Sequence, residues 1–331
     1  MSDWMSSRIS GTGENDMKFW KMNGAGNDFI ILNNLEERFP TEAFPEIART
    51  LCERHLSIGA DGLMAVDRPS EGADADIRML FYNSDGSAGE MCGNGARCIC
   101  RYIYENGLAR GTDRQVIETT AGIVTGERIS ARMYRIRLND PSVIELRKEL
   151  VLYPEDLPFE TGTLPERIII PCSYVELGCP GLPHLAVEYA GTVARLCHQA
   201  SGSIHLQDAD ETHLRELGRA LRWHRDLPKG ANVNFFELTD SQVVFERTFE
   251  RGVEDFTYAC GTGTGSVAAV LSLSGRTGSS GIHFSMRGGE LFVDIEELNG
   301  GSSSVPACGI YLTGPTNIVA KGEVTDEELH L

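Results

Sequence analysis

The sequence has few positive charges and no long apolar run. Of its 331 residues, 30 are Lys or Arg and 48 are Asp or Glu, so the formal net charge is −18. Such a charge repels phosphate backbones and acidic lipids, which argues against a nucleic-acid partner and against a role at a membrane surface. An anionic small molecule stays possible, because a local site can be positive on a negative protein. No apolar run approaches the roughly 18 residues that a membrane helix needs.

Signals of cofactor and metal binding are missing or incomplete. The segment GAGNDF (24–29) lacks the third glycine of a dinucleotide-binding loop, and no clear βαβ unit follows it. Cys98 and Cys100 lack the spacing and the partners of a zinc site, and we expect both in a helix core. No short repeat indicates a solenoid. We therefore expect neither a cofactor nor a metal.

The cysteines do not suggest a disulfide framework. No apolar secretory segment precedes them, since the start MSDWMSSRISGTGENDMKFW is polar and broken by glycine. We expect a reduced, cytoplasmic protein with free thiols. The length suits two domains, and 41% hydrophobic residues with 24% charged residues are ordinary globular values. The nine cysteines are Cys52, Cys92, Cys98, Cys100, Cys172, Cys179, Cys197, Cys260 and Cys308.

Periodicity predicts alternating strands and helices after a flexible N-terminal extension at residues 1–16. Strands are expected at 19–32 with a central glycine turn and at 59–66, 77–83, 115–138, 167–178, 185–189, 231–238, 243–252, 291–295 and 309–314. Helices are expected at 41–55, 92–107, 209–222 and 260–275. Residues 139–145 (NDPSVIE) are expected to be a linker or crossover.

A weak long repeat links two cysteines. Cys92 begins C-G-N-G-A-R and Cys260 begins C-G-T-G-T-G, 168 residues later. Each follows a strand and a loop and opens a predicted helix. This pattern predicts two similar halves, each with one cysteine at a helix N-terminus.

A helix N-terminus carries partial positive charge and unpaired backbone N–H groups. It favours the thiolate of a nearby cysteine and binds anions such as a carboxylate. Two such helices aimed at one substrate provide one thiolate base and one thiol acid. Removing a proton from one face of an α-carbon and adding one to the other face inverts the centre. Amides that stabilise the enolate charge make a cofactor unnecessary.

Other interpretations of the same residues stay open. Buried cysteines are common and inert, so either motif alone is more often structural packing. A thiol-nucleophile hydrolase or transferase would need one cysteine, an orienting histidine and a covalent intermediate, and His184 is the histidine with a suitable context. An amino-acid-binding protein without activity would show no α-hydrogen exchange.

Several segments together resemble the diaminopimelate epimerase family. In order they are KMNGAGNDFIIL, GADGL, FYNSDGSAGEMCGNGARC, Pro183-His184, NVNF, FERG and ACGTGTG, and the resemblance covers about 17–331. It implies an α/β (α+β) fold of two pseudo-symmetric domains. Each domain would be a curled, mostly antiparallel sheet around a central helix, with the active site in the cleft between the domains. The implied domains are 17–138, completed by 317–331, and 139–316.

The resemblance also implies an activity and a set of site residues. Family members interconvert LL- and meso-diaminopimelate, a lysine and peptidoglycan precursor, without a cofactor. Cys92 and Cys260 match the acid and base. The resemblance assigns substrate binding to Asn27, Asn83, Gly93, Asn94, Asn232, Glu250, Arg251, Gly261 and Thr262, with His184 and Glu250 near the thiols as candidates for tuning their proton transfer. The implied partner is a small amino-acid substrate, and a homodimer is one assembly that the family allows.

Two departures affect the end of the site that would select the substrate. Leu182 stands where the family usually has an asparagine that holds the distal end of the substrate. The loop GVEDFTYAC (252–260) is one residue longer than usual, with Phe256 in place of a glutamate. Both changes predict a more apolar far end. A racemase of another amino acid, such as histidine, is therefore the alternative function.

Overall fold

The chain forms two compact units. A computed structural model describes residues 17–89, 91–111, 113–158, 165–197, 205–297 and 308–325, so the predicted extension at 1–16 lies outside the described residues. The first unit runs to Tyr134 and resumes at Thr316, and the second unit is Arg135–Pro315. The sequence predicts these boundaries at 138 and 316.

The described residues contain many strands and few helices. The strands are β1 (Met17–Gly24), β2 (Asn27–Asn33), β3 (Gly62–Asp67), β4 (Ile77–Asn83), β5 (Ala88–Gly89), β6 (Arg114–Thr119), β7 (Gly122–Arg128), β8 (Met133–Arg137), β9 (Pro141–Leu152), β10 (Ile168–Leu177), β11 (Leu182–Glu188), β12 (Asn232–Leu238), β13 (Val243–Glu250), β14 (Asp255–Phe256), β15 (Ile282–Met286), β16 (Gly289–Glu297), β17 (Cys308–Pro315) and β18 (Asn317–Val324). The α-helices are α1 (Asn34–Glu37), α2 (Phe44–Cys52), α3 (Gly93–Glu105), α4 (Gly191–Leu196), α5 (Glu211–Arg222) and α6 (Gly261–Leu273).

The two units share one strand topology. In the first unit the order is β18-β1-β2-β3-β4-β6-β7, parallel at β2–β3 and β4–β6 and antiparallel elsewhere. In the second unit it is β9-β10-β11-β12-β13-β15-β16-β17, parallel at β11–β12 and β13–β15. The two-residue strands β5 and β14 pair with β4 and β13 and precede α3 and α6. The weak sequence repeat therefore marks a repeat of topology.

Each unit curls its sheet around one buried helix. Helix α3 packs against β1, β2, β6 and β7, and α6 packs against β10, β11, β12, β16 and β17. Because each helix contacts strands from both ends of its sheet order, the sheets must wrap around the helices. From Gly93 to Ile103 all residues except Arg101 are buried, and from Gly261 to Leu271 all except Thr262 are buried. Such burial is typical of central helices and confirms the predicted architecture.

A second helix covers part of the other face of each sheet. In the first unit α2 buries Phe44, Ile47 and Leu51 against β3 and β4. In the second unit α5 packs against β12 and β13, where its leucines join Phe235 and Phe249 in one apolar cluster. Alternation along β12 and β13 therefore sends phenylalanines towards α5 and leaves polar side chains for α6.

The predicted linker at 139–145 is wrong. Residues Pro141–Leu152 form the long strand β9, which pairs antiparallel with β10. Strand β9 is an edge of the described strand order, so its polar residues face water and weaken the apolar alternation that marks a strand. Pro141 occupies the first position of the strand, where a missing N–H is tolerated.

Candidate active site

Cys92 lies at the start of α3, as the sequence predicts. It is the N-cap residue, with an extended backbone (φ −128°, ψ 117°), and it is half-buried. Its carbonyl accepts the first helical hydrogen bond, from the N–H of Ala96 at 2.8 Å. The amides of Gly93 and Asn94 come before that bond and have no partner within the helix. Thiol and amides together form a site for a negatively charged group.

Two predicted binding residues meet at this helix start. The side-chain Nδ2 of Asn94 donates to Oδ1 of Asn27 at 2.6 Å, and the side-chain Nδ2 of Asn27 in turn donates to Oδ2 of Asp61 at 3.1 Å. Asn27 is the first residue of β2, so the turn after β1 places it beside α3. Cys92, Gly93, Asn94 and Asn27 form what we term the first half-site.

Asn83 is placed differently from these residues. It is the exposed last residue of β4, and its side chain donates to Ser87 Oγ at 2.9 Å within the following turn. In the described chain no hydrogen bond joins it to Asn27 or Asn94. Its observed role is to shape a turn, which is a common role for asparagine.

Arg97 is a residue of this half-site that sequence reasoning missed. Its side chain is fully buried, and Nη2 donates to Asn94 Oδ1 at 2.9 Å. It has no carboxylate partner among the described residues, and burial lowers its pKa to about 10. It thus stays charged at neutral pH and attracts negative charge at Cys92. An arginine between the small and apolar residues Ala96 and Cys98, in the first half of a predicted buried helix, was the available signal.

Cys260 repeats this arrangement at the start of α6. It is the N-cap residue (φ −118°, ψ 104°) and is 7% exposed, with Sγ 3.5 Å from Thr262 Oγ1. The thiol also accepts from the Gly263 N–H. Together with Gly261 these residues form the turn that the sequence predicts to bind a carboxylate.

The thiol of Cys260 is nevertheless not an activated thiolate. Burial raises its pKa well above the ordinary value, and the negative charge of Glu250 adds to that rise. The hydrogen bonds from Thr262 and Gly263 oppose the rise but are outweighed. The helix start thus favours the thiolate of Cys260 through the Gly263 N–H, but desolvation of the charged sulfur outweighs this contribution.

Arg251 and Asn232 are joined near the ends of their strands. The Arg251 N–H donates to Asn232 Oδ1 at 2.7 Å, which ties the residue after β13 to the first residue of β12. The Arg251 side chain is exposed and has no carboxylate partner among the described residues. Arginine suits two-pronged binding of a carboxylate, so this side chain is available to an anionic ligand.

His184 is a fully buried neighbour of these residues. It pairs in register with Asn232 across the parallel strands β11 and β12. Its Nδ1 lies 3.4 Å from Asn234 Nδ2, and its Nε2 has no hydrogen-bond partner in the described chain. Burial lowers its pKa to about 3, and the positive charge of Arg251 contributes. The imidazole is therefore neutral at physiological pH.

Cys260, Gly261, Thr262, Asn232, Glu250, Arg251 and His184 form the second half-site. Electrostatic contacts connect its members, since Glu250 acts on Cys260 and Arg251 acts on His184. In the described chain no hydrogen bond joins His184 to Cys260, so the cysteine–histidine pair of a thiol hydrolase is not formed there.

The two residues that depart from the family pattern, Leu182 and Phe256, lie in different surroundings. Leu182 is the half-buried first residue of β11, two residues before His184, so it lies near the second half-site. Phe256 packs with Phe235 and Phe249 at ring distances of 6.3 and 5.9 Å, in the cluster beneath α5. Its ring thus packs in the apolar cluster beneath α5, and its effect on a substrate pocket stays a prediction.

The other two thiols of α3 are core residues, and the described residues form no metal site. Cys98 and Cys100 are fully buried in α3, and burial raises the pKa of each to about 12, which fits the predicted core role. Among the described residues, no group of three or more His, Cys, Asp or Glu could hold a metal ion. No helix in that part of the chain is long and apolar enough to cross a membrane.

Comparison of sequences places the chain among known proteins. The family model for diaminopimelate epimerase matches residues 19–131 and 203–319. A diaminopimelate epimerase of Aquifex aeolicus is 32% identical over 324 residues, 95% of this chain and 99% of that protein. One from Caldanaerobacter subterraneus is 34% identical over 313 residues, 93% of this chain and 99% of that protein.

Solved structures share the fold at low identity. A hydroxyproline epimerase from Agrobacterium vitis matches with a TM-score of 0.64 and 16% identity, covering 96% of this chain and 95% of that one. A phenazine biosynthesis protein from Bacillus anthracis also matches with a TM-score of 0.64 and 16% identity, covering 94% and 99%. The chain belongs to the diaminopimelate epimerase family and is an isomerase that epimerises amino acids.

Proposed function

We propose that the protein converts LL-diaminopimelate into meso-diaminopimelate by proton transfer between two cysteines, a step of lysine biosynthesis. The observation that carries the mechanism is the repeated placement of Cys92 and Cys260, each the N-cap of a buried central helix. In each half-site a sulfur lies at the start of a helix, where the polarity of the backbone suits the binding of a carboxylate. A racemising enzyme needs one such acid–base group for each face of the α-carbon.

In this proposal the surroundings of the two thiols favour different protonation states before the reaction. Buried Arg97 stabilises negative charge at Cys92, whereas burial and Glu250 disfavour a thiolate at Cys260. In the forward direction the Cys92 thiolate takes the α-proton and becomes a thiol. The Cys260 thiol gives its proton to the opposite face and becomes a thiolate. The substrate carboxylate carries the enolate charge between these steps, and the backbone amides stabilise it.

The substrate assignment rests on the relatives and on Arg251. Curated relatives at 30–34% identity are named diaminopimelate epimerases. Arg251 and Asn232 offer donors for a second carboxylate, which diaminopimelate has and histidine lacks. The observation that favours the alternative, a histidine racemase, is Leu182, because its side chain cannot hydrogen-bond the distal end.

Hydrogen exchange at the α-carbon tests both parts of the proposal. The enzyme is incubated in deuterated water with LL-diaminopimelate and, separately, with L-histidine, L-glutamate, L-lysine and L-arginine, and α-deuteration is followed by NMR. We expect exchange with LL-diaminopimelate, and a loss of at least 1,000-fold in the rate of meso-diaminopimelate formation in Cys92→Ala and in Cys260→Ala, in line with removal of a general acid or base. Cys179→Ala, which removes an exposed thiol, is the matched control.

The possible outcomes separate mechanism from substrate. Turnover that survives either active-site substitution would refute the two-thiol mechanism. Faster exchange of L-histidine than of LL-diaminopimelate would refute the substrate assignment and leave the mechanism standing. A covalent acyl adduct on one cysteine would favour nucleophilic catalysis instead.

A further inference from the structure

Glu246 is a buried carboxyl group that the proposed mechanism does not use. It lies on β13, four residues before Glu250, and is 3% exposed. It has no ion-pair partner among the described residues, and its Oε1 makes no hydrogen bond in that part of the chain. Its one hydrogen bond joins Oε2 to Thr264 Oγ1, at 2.7 Å. A buried acid with so few partners needs an explanation, because an isolated buried charge is costly.

Thr264 connects this carboxyl group to Cys260. Thr264 is fully buried in the second turn of α6, and its Oγ1 lies 2.9 Å from the carbonyl oxygen of Cys260. The Thr264 backbone N–H donates to the same oxygen at 2.9 Å. The carbonyl oxygen of Cys260 thus contacts both the backbone N–H and the side-chain hydroxyl of Thr264, and the same hydroxyl contacts Glu246.

The hydrogen count limits the direction of this chain. A hydroxyl has one hydrogen, and a carbonyl oxygen can only accept. The Thr264 hydroxyl lies within donating distance of both Glu246 Oε2 and the Cys260 carbonyl, but its single hydrogen serves one of them at a time. When that hydrogen is donated to the carbonyl, the contact between Glu246 and Thr264 is a hydrogen bond only if the carboxyl group is protonated and donates. Burial supports the protonated form, since it raises the pKa of Glu246 to about 8.

We propose that Glu246 is a positioning residue for Cys260: as an uncharged acid it donates to Thr264, which donates to the Cys260 carbonyl and so fixes the thiol at the start of α6. This inference rests on the proposed role of Cys260 in proton transfer. Described ionisable groups near this end of α6 include Glu250 on β13, Cys260 on α6 and neutral His184 on β11. An ionised Glu246 would lose its donor hydrogen and add a second negative charge near the thiol.

Four variants separate positioning from simple packing. Glu246→Gln keeps the shape and a donor but cannot ionise, whereas Glu246→Leu removes the donor. Thr264→Val keeps the volume and removes the hydroxyl. Ser274→Ala is the control, because Ser274 Oγ makes the same type of bond, to Val270 O at 2.6 Å, at the other end of α6. The readouts are kcat, KM and the rate at which iodoacetamide alkylates Cys260, with exposed Cys179 as internal reference.

We expect Glu246→Gln and Ser274→Ala to keep kcat within threefold and Cys260 alkylation within twofold at pH 7. We expect Glu246→Leu and Thr264→Val to lower kcat at least tenfold with KM within threefold. The same two variants should speed Cys260 alkylation at least fivefold, because a loosened first turn exposes the sulfur. The kcat of the double variant Glu246→Leu/Thr264→Val should be no lower than that of the more impaired single variant, because both substitutions interrupt the same series of hydrogen bonds.

The pH profile provides a readout that packing would not move. We expect kcat of the native enzyme to fall above about pH 8, where Glu246 ionises, and that of Glu246→Gln to hold to higher pH. The proposal is overturned if Glu246→Gln loses as much as Glu246→Leu, or if Thr264→Val behaves like Ser274→Ala. The alkylation rate of Cys260 is measured without substrate. If the native enzyme catalyses no α-proton exchange, the proposed function is refuted, while alkylation still tests the positioning role of Glu246.

Discussion

At the scale of single residues, the two N-cap cysteines differ because of what is buried behind them. The buried guanidinium of Arg97, which has no carboxylate partner among the described residues, lies near Cys92, and the carboxyl groups of Glu246 and Glu250 lie near Cys260. A helix start has the same polarity in both places. Unequal acid–base properties therefore come from neighbours on other turns and strands, not from the shared C-G-x-G pattern. Such asymmetry suits a reaction that needs one base and one acid at once.

Substitution of Arg97 tests this electrostatic assignment. We expect Arg97→Met to lower the alkylation rate of Cys92 at pH 7 about tenfold. The substitution removes the cation that stabilises the thiolate, and a loss of roughly 1.4 kcal/mol of that stabilisation reduces the thiolate fraction tenfold. Peptide-resolved mass spectrometry after timed iodoacetamide treatment measures the rate. Arg97→Lys, which keeps the charge, should recover most of it. Equal Cys92 rates in the native protein and Arg97→Met would show that the cation does not act on the sulfur.

At the scale of elements, the glycines after the cysteines have a packing role besides any role in ligand binding. A Cβ on Gly95 would collide with Met64 of β3, and one on Gly263 would collide with the Asn234 side chain of β12. Both glycines lie one turn into a central helix, where the sheet passes closely. The C-G-x-G pattern therefore sets how closely each helix approaches its sheet.

Alanine substitution of Gly95 or Gly263 should destabilise the fold despite the better helix propensity of alanine. Propensity favours alanine by about 1 kcal/mol, while overpacking a core typically costs about 1–3 kcal/mol. We expect a net loss of about 1 kcal/mol or more in the free energy of unfolding, measured by urea titration. Gly278→Ala is the matched control, because a Cβ there meets nothing within 4 Å. If Gly95→Ala is as stable as that control, the close approach is not a constraint.

Pattern reasoning at this scale worked best for buried elements. The helix after Cys92 carries apolar residues at helical spacing and the helix after Cys260 is a run of small and apolar residues, so their positions followed from the sequence. Strand β9 was missed because its edge position leaves many polar residues facing water.

At the scale of the whole molecule, the last strand completes the first unit. Strand β18 pairs antiparallel with β1 from Met17–Val324 to Asn23–Asn317. Arg101 of α3 donates to Thr316 O at 2.7 Å, and the Lys321 ammonium lies 3.4 Å from the centre of the Trp20 ring. These contacts tie β18 and the residue before it to residues more than 200 positions earlier. The central helix of the first unit therefore depends on a strand that lies far from it in the sequence.

A chain that ends at Pro315 should lose the stability of the first unit. Removing β18 exposes one edge of β1 and the apolar residues that β18 covers, so we expect a lower melting temperature and rapid proteolysis within residues 17–134. Limited proteolysis with mass spectrometry locates the cleavage. Val319→Ala is the control, because this side chain is 61% exposed and its loss should change the melting temperature little. Cleavage confined to residues 135–315 would contradict the prediction.

The sequence alone determined the two helix-start cysteines and the repeated strand–loop–helix unit around them, because these depend on local periodicity and on residue types with narrow chemistry. The fold class followed from the resemblance of its motifs to a known family. Only the tertiary structure decided what surrounds each thiol. Arg97, Glu246 and Thr264 act through burial, and whether a charge is buried depends on strands and helices far away in sequence. The same holds for His184, whose neutral state follows from full burial beside Arg251. Desolvation is a property of the packed fold, so no local pattern could have shown that Cys260 is held as a thiol.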